Sequence, residues 1–190
     1  MSVIEAIKQR NSNAFMSDRE VPEQLIREIL DAAVCTPAHY RTNPWRFLVI
    51  RGAGRNRFGD FMADRLIPGM EDPASPENVA YLNKIRKKPL RAPVIIAAGA
   101  AKSLDCPKAL MVEDVAAVSA ACQNILLAAD ALGLSAIWRT GSLAYDRDTV
   151  AFLGFAPDTE LVGFVYLGYA AKDMPPKPRE SAAQFTRWMD

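Results

Sequence analysis

The longest helical pattern in the chain, residues 112–132, contains so many alanines that it predicts a thin helix. Small side chains let neighbouring elements approach a helix closely, which favours a position at the centre of a domain. Gly133 follows the pattern and is a natural residue to end the helix, because glycine adopts positive φ without strain. The sequence therefore predicts a central helix against which the rest of the chain packs.

The other elements are predicted from periodicity and from turn residues. The apolar runs 93–99 and 161–167 predict buried strands, the first of them covered on both faces, and 47–51 and 135–138 predict two more. Helical spacing predicts helices over 2–10, 22–34, the segment after Gly54, 77–87 and 145–153, with loops at 68–76 and 102–108. Ser2 and Glu5 have the spacing of a capping box. Helices and strands are mixed without strict βαβα alternation, which favours an α+β sandwich in a single domain of residues 1–190.

The stretch 35–50 begins where a helical pattern stops and ends as a strand. Pro37 and Pro44 fix φ and extend the residues before them, which makes the loop stiff. The loop carries His39, the only histidine of the protein, and other polar side chains beside Trp45. A stiff polar loop next to a core strand suits a flat polar ligand, and a plain helix-to-strand connector is the alternative at this point.

Composition excludes several function classes. A formal net charge of +1 gives no electrostatic footprint for nucleic acid or for an anionic membrane. Half of the 190 residues are hydrophobic, which supports one sizeable core or a core completed by a partner. The N-terminus lacks a signal-peptide pattern, and the apolar segment 112–134 is interrupted by acidic and amide side chains. We therefore expect a cytoplasmic protein that does not span a membrane.

No residue pattern points to a protein-based catalytic group. Gly52-Ala-Gly54 imitates a dinucleotide fingerprint, but Arg57 stands where the third glycine is needed, which argues against a Rossmann fold. The sequence shows no Ser-His-Asp order, and its one histidine allows at most one imidazole-based site. No cluster of histidine, cysteine and carboxylate residues has metal-ligand spacing. The sequence therefore assigns no catalytic residue and no metal ligand. It favours either an enzyme whose cofactor does the chemistry or a binding module.

Three short motifs lie far apart in the sequence: Arg10-Asn-Ser12, the 35–45 loop leading through Asn43-Pro-Trp-Arg-Phe47, and Trp138-Arg-Thr-Gly141. In this order and spacing they resemble the nitroreductase family of FMN oxidoreductases, most closely its short, minimal members. Leu167-Gly168 and Lys177-Pro-Arg179 extend the likeness to nearly the whole chain. The resemblance implies a three-layer sandwich with a central mixed, mainly antiparallel sheet flanked by helices, in a domain-interlocked homodimer.

The resemblance also implies a role in FMN binding for a defined set of residues. Those after the first helix and in the tail would meet the phosphate, ribityl and pyrimidine end, and those of the 35–45 loop would approach from the second subunit. Residues of the third motif would line the ring, with a backbone N–H of the turn pointing at flavin N5. The set is Arg10, Asn11, Ser12, Cys35, Pro37, His39, Trp138, Arg139, Thr140 and Arg179.

Several of these residues have a structural alternative. Arg10 would complement the dipole at a helix C-terminus. Trp138 would fill the core, Cys35 would simply pack, and Arg179 would be a surface charge. Asn11 stands where many relatives carry a second arginine, so one cation near the flavin is replaced by a neutral amide.

The function implied by the resemblance is hydride transfer from NAD(P)H to flavin N5 and on to an electron-poor acceptor, such as a nitroaromatic or a quinone. A single site would serve both substrates in turn, which gives ping-pong kinetics. The sequence does not distinguish NADH from NADPH. The alternatives are an FMN-binding storage or sensor module without efficient turnover, favoured by Asn11, and a flavin-free structural relative.

Overall fold

A four-stranded sheet carries an apolar core on each face in the computed structural model, which describes residues 2–103, 106–175 and 177–189. The strands are β1 Trp45–Arg51, β2 Val94–Ala100, β3 Ser135–Arg139 and β4 Glu160–Gly168. Their spatial order is β1-β2-β4-β3, and all three pairings are antiparallel. The expected mainly antiparallel sheet is confirmed, and among the described strands no pair is parallel. β1 and β3 form the two edges.

Helices cover both faces of this sheet and make a three-layer α+β sandwich, as expected. Within the described residues they are α1 Val3–Gln9, α2 Glu23–Ala33, α3 Ala53–Asp64, α4 Pro76–Arg86, α5 Met111–Ala131 and α6 Arg147–Phe152. Helices α2 and α5 pack on one face, with α1 against α5, whereas α3, α4 and α6 cover the other. The capping box of α1 is present, with Glu5 N–H donating to Ser2 Oγ at 3.2 Å.

Helix α5 is the central helix that its alanines predict, and it contacts α1, α2 and every strand of the sheet. Ala121 and Ala129 are fully buried against the sheet, as is Cys122. Burial raises the pKa of the Cys122 thiol to about 12, so this group stays protonated and inert. By length and mean hydropathy α5 would be able to cross a membrane, but its buried residues pack in the core, the position of a core helix.

Strand β2 is buried along its whole length, as its continuous apolar run predicts. Val94, Ile96 and Ala98 face the α2–α5 core, while Ile95 and Ala97 face the core under α3 and α4. The strand thus anchors both layers to one sheet.

Differences from the predicted elements are small and lie at element ends. β1 begins two residues earlier than expected, at Trp45, because its pairing with β2 continues to Ala100. α6 begins only at Arg147, because 142–145 form a 3-10 turn and the Asp146 carboxylate caps the helix by accepting from Asp148 N–H. The predicted loop at 102–108 includes residues 104 and 105, which lie outside the described residues.

Candidate functional site

The segment that follows α1 places Arg10 over a cavity of about 230 Å³, between the last turns of α5, the start of β3 and residues 170–174. The Nε and Nη1 atoms of Arg10 are buried and have no hydrogen-bond partner among the described residues. Buried donors without partners cost free energy, and a guanidinium cannot avoid that cost by losing its proton. The arrangement therefore favours an anion that accepts from Arg10.

A second guanidinium reaches the same place from the tail. Arg179 Nη2 lies 3.4 Å from the backbone oxygen of Arg10. Burial and then the charge of Arg179 lower the pKa of Arg10 from its ordinary value, while Asp130 acts in the opposite direction. Asp130 and Asp173 also line the cavity, but both are exposed, so solvent screens their repulsion of an anion. The structure thus brings Arg10 and Arg179 together from opposite ends of the chain.

Two asparagines fix the backbone that presents Arg10. Asn13 is 4% exposed and donates from Nδ2 to the oxygen of Lys172 at 2.9 Å, while its Oδ1 accepts from the amide of Phe15 at 2.8 Å. Asn11 donates to the oxygen of Met174 at 2.9 Å, so its amide is committed to the backbone. Ser12, between them, is exposed and is not hydrogen-bonded to a described residue. The positioning role of Asn13 has no signal in the sequence, since a single asparagine after a helix is common in plain loops.

The 35–45 loop is strained and is held by α5 at two points. Tyr40, Arg41 and Asn43 have φ of 53°, 54° and 47°, a left-handed conformation that costs energy for residues other than glycine. Thr42 Oγ1 donates to Asp114 Oδ1 at 2.8 Å, and Asn124 Nδ2 donates to Thr36 Oγ1 at 2.9 Å. These bonds overcome the local strain, so the stiffness comes from tertiary contacts as well as from the prolines.

The three loop residues assigned to the cofactor are not part of this anchor. Cys35, Pro37 and His39 are exposed, and His39 Nε2 lies 3.8 Å from Glu113 Oε1. The contacts of Thr42 and His39 lie at the start of α5, whereas the Arg10 cavity lies near Asp130. Sixteen residues of helix separate Asp114 from Asp130, or about 24 Å. Within one chain, His39 and Arg10 therefore do not share a site.

We expect Thr42→Val to cost about 1–3 kcal/mol of unfolding free energy. The substitution keeps the shape of the side chain but leaves the buried carboxyl of Asp114, whose Oδ2 already lacks a partner, without its bond to Oδ1. Urea denaturation measures the loss, and limited proteolysis shows whether the loop opens. Thr186→Val is the matched control because the Thr186 hydroxyl bonds to a backbone oxygen at an exposed site. Equal stability of the two variants would contradict the anchoring role of Thr42.

The third motif sits at the end of β3. Trp138 packs against the α2–α5 core, and its indole Nε1 donates to the oxygen of Val162 at 3.2 Å. Arg139 points to the opposite face of the sheet, with its guanidinium 5.7 Å from the ring centroid of Tyr166. Adjacent strand residues face opposite sides, so at most one of these two side chains lines a ring on one face. Thr140 is exposed in the turn that follows.

The structure therefore sorts the sequence-predicted residues into three places. Arg10 and Asn11 line one cavity together with Ser135 at the start of β3. Arg179 donates to the backbone oxygen of Arg10, and Ser12 is exposed next to it in the chain. Thr140 lies at the other end of β3, about 16 Å further along the strand. The 35–45 loop lies apart from both.

Comparisons with known proteins identify the family of the chain. The Nitroreductase family model matches residues 7–169. A provisionally named NADH dehydrogenase/NAD(P)H nitroreductase of Methanothermobacter thermautotrophicus is 41% identical over 138 residues, which span 73% of this chain and 60% of the archaeal protein. The provisionally named NAD(P)H nitroreductase YdjA of Escherichia coli is 31% identical over 88% of both chains.

A solved structure shows the same fold. The provisionally assigned nitroreductase from Desulfovibrio desulfuricans, crystallised in complex with FMN, is 25% identical to this chain. It superposes with a TM-score of 0.76 and covers 100% of this chain and 98% of its own. The match of the family model over most of the sequence, together with these relatives, shows that the chain belongs to the nitroreductase family.

Proposed function

We propose that this protein is an FMN-dependent oxidoreductase that uses NAD(P)H to reduce an electron-poor acceptor such as a nitroaromatic or a quinone. The observation that carries the proposal is the guanidinium of Arg10, which lines a cavity and whose buried Nε and Nη1 atoms have no partner among the described residues. Guanidinium groups match phosphate oxygens with two parallel hydrogen bonds. When bound, FMN would accept a hydride at N5 and pass reducing equivalents to the acceptor. Cytoplasmic location is part of the same proposal.

The residues present fit the phosphate end of that cofactor. Arg10 supplies buried donors, Arg179 adds a second cation from the tail, and the exposed hydroxyl of Ser12 is free to donate as well. Asn11 and Asn13 hold the backbone of this segment in place through the oxygens of residues 172–174. Their role is to position Arg10 before the ligand arrives, which lowers the entropy cost of binding.

The turn after β3 would serve the ring end. Gly141 and Ser142 have amide N–H groups for which the hydrogen bonds of the described residues provide no acceptor. A backbone N–H held by a strand end is a fixed donor, suited to a ring nitrogen or carbonyl. β3 separates this turn from the Arg10 cavity by about 16 Å, a length that a ribityl phosphate with its fused ring system can bridge. The indole of Trp138, just before this turn, is fixed by its hydrogen bond to the backbone oxygen of Val162.

The site would be completed by a second copy of the chain. His39 lies about 24 Å along α5 from the Arg10 cavity of its own chain, and it is exposed together with Cys35 and Pro37. Large apolar side chains are also left uncovered: Val3 and Ile4 on α1, and Phe185 and Trp188 in the tail, the last two 78% and 87% exposed. Exposed apolar surface of this kind marks interaction sites. A homodimer covers it and brings His39 to the other chain's cavity.

The shared site makes a prediction for His39→Ala. The variant is expected to weaken FMN binding although the side chain is 66% exposed in its own chain. Hybrid dimers sharpen the test: one subunit carries Arg10→Ala and the other His39→Ala, with different affinity tags. If each pocket takes Arg10 from one subunit and His39 from the other, both substitutions fall in the same pocket and the second pocket keeps both residues. The hybrid is therefore expected to hold one FMN per dimer at native affinity. Two equally weakened sites, or a flavin-loaded monomer in light scattering, would contradict the shared arrangement.

Anaerobic mixing with each nicotinamide tests the catalytic part of the proposal. We expect NADH or NADPH to bleach the visible flavin absorbance and a nitroaromatic or quinone to restore it, with ping-pong steady-state kinetics. A flavin that stays oxidised under excess of both nicotinamides would overturn the reaction and favour the second candidate, an FMN storage or sensor module. The observation in favour of that module is Asn11, whose neutral amide is committed to Met174.

A further inference from the structure

A second cavity, of about 280 Å³, lies on the face of the sheet opposite α5. It is enclosed by α3, by the 3-10 turn Lys88–Arg91, by β4 and by the turn that follows β3. No motif of the sequence analysis predicts it, and of the FMN set only Arg139 and Thr140 line it. It is therefore distinct from the Arg10 cavity, from which β3 separates it.

The cavity has a strong excess of positive charge. Lys88, Arg91 and Arg139 line it, and no aspartate or glutamate is among the described lining residues. None of the salt bridges of the described residues involves these three cations, whereas their neighbours Arg65 and Arg86 are each paired with two aspartates. Cations left unpaired around a concave surface create a positive potential that attracts anions.

The floor of the cavity is aromatic. Phe58, Phe164 and Tyr166 are 1%, 5% and 7% exposed, and the rings of the two phenylalanines lie 5.3 Å apart. Burial raises the pKa of Tyr166, while Arg139 and Arg91 act in the opposite direction, so its phenol stays protonated near neutral pH. The Tyr166 hydroxyl makes no hydrogen bond to a described residue, although it belongs to the cavity wall. A protonated phenol without a partner is a donor for an incoming oxygen.

We propose that this cavity binds a small planar organic anion, an aromatic carboxylate, with its ring on the floor of Phe58, Phe164 and Tyr166 and its carboxylate facing Arg91 and Lys88. Guanidinium and ammonium groups recognise carboxylates through charge-assisted hydrogen bonds. Aromatic rings gain from stacking and edge contacts in an apolar floor of this kind. The turn with Gly141 and Ser142, which we propose to face the flavin ring, also lines this cavity. The binding step does not rest on the proposed function, because the carboxylate partners Lys88 and Arg91 have no part in the proposed FMN site.

Calorimetric titration of the flavin-loaded protein with benzoate tests the proposal. We expect one benzoate per chain, bound at least about tenfold more weakly by a Lys88→Gln/Arg91→Gln variant, the scale of one charge-assisted contact. Lys84→Gln, at an exposed position of α4, removes one positive charge outside the cavity and is expected to leave the affinity unchanged. Arg91→Lys keeps the positive charge and is expected to retain most of the affinity for benzoate. Melting temperatures show that each variant is folded.

Two further probes separate the contribution of the aromatic ring from that of the carboxylate charge. Benzamide keeps the ring without the charge, and acetate keeps the charge without the ring, so both are expected to bind much more weakly than benzoate. Absence of benzoate binding, equal affinity in the double variant, or benzamide or acetate binding as tightly as benzoate would each overturn the site. Calorimetry reports binding without reference to turnover, so failure of the flavin reaction leaves this result readable.

Discussion

Replacing Gly163 with alanine is expected to lower the unfolding free energy by about 3 kcal/mol. Gly163 has φ of 145°, and a Cβ built there would lie 2.5 Å from Trp138 Nε1 and 2.6 Å from the backbone oxygen of Arg139. Both neighbours belong to the end of β3, and one of them is backbone, so neither moves away cheaply. In a chain of this size the loss corresponds to a melting temperature lower by roughly 6–12 °C.

The position matters because the sheet is irregular there. The β2–β4 register pairs Ala98 with Gly163 and Gly99 with Leu161, so Val162 is skipped. The oxygen of Val162 accepts from the Trp138 indole, which crosses Gly163 to reach it. A methyl group at Gly163 pushes the indole and the following turn away, and we therefore expect weaker FMN binding in addition to lower stability.

Gly154→Ala is the control for backbone strain alone. Gly154 has φ of 73°, but a Cβ there would have no atom within 4 Å. Its cost is expected to be about 1–2 kcal/mol, the strain of a left-handed alanine. Thermal melts followed by circular dichroism compare the two variants. If Gly163→Ala costs no more than Gly154→Ala, the close approach of Trp138 does not constrain the site.

Arg10→Ala is expected to weaken FMN binding by about 1.5–3 kcal/mol, or roughly ten- to 150-fold. The guanidinium supplies buried donors that have no partner among the described residues, and a phosphate is the acceptor we propose for them. Fluorescence titration of FMN into the apoprotein measures the change. Because the site is partly buried and charged, the loss is expected to shrink as salt concentration rises.

The stability of the apoprotein gives a second, independent readout for Arg10. Burial and the charge of Arg179 lower the pKa of Arg10. The charged form of Arg10 therefore reduces the unfolding free energy of the apoprotein. We therefore expect apo Arg10→Ala to be at least as stable as the unmodified apoprotein while it binds FMN poorly. Lys8→Ala removes an exposed cation from the last turn of α1, just before Arg10, and should change neither property. A destabilised apo variant with native FMN affinity would show that Arg10 is only a helix-terminal residue.

Much of the fold was predictable because its signals are local or periodic. The alanine pattern placed α5 at the centre, the continuous apolar run of β2 indicated burial on both faces, and Ser2 with Glu5 marked the start of α1. These features depend on side-chain size, strand environment and capping chemistry, which act over a few residues.

The candidate site was less predictable because it depends on contacts between distant residues. The motif 138–141 reads as one unit in the sequence, yet strand alternation sends Trp138 into the core and Arg139 to the second cavity. The 35–45 loop is held not only by its prolines but also by the bond from Thr42 to Asp114, a contact across 72 residues. Asn13 shows no motif at all, although it fixes the segment that carries Arg10. Such pairs become visible only when the chain is folded.

The visible absorption spectrum of the purified protein, with its flavin released and quantified, tests the central claim most directly. We expect a yellow protein that holds one FMN per chain, and an apoprotein that regains the colour on addition of FMN. A colourless protein that cannot be reconstituted with FMN, or one that carries an unrelated chromophore, would contradict the proposal that Arg10 and Arg179 hold a flavin phosphate.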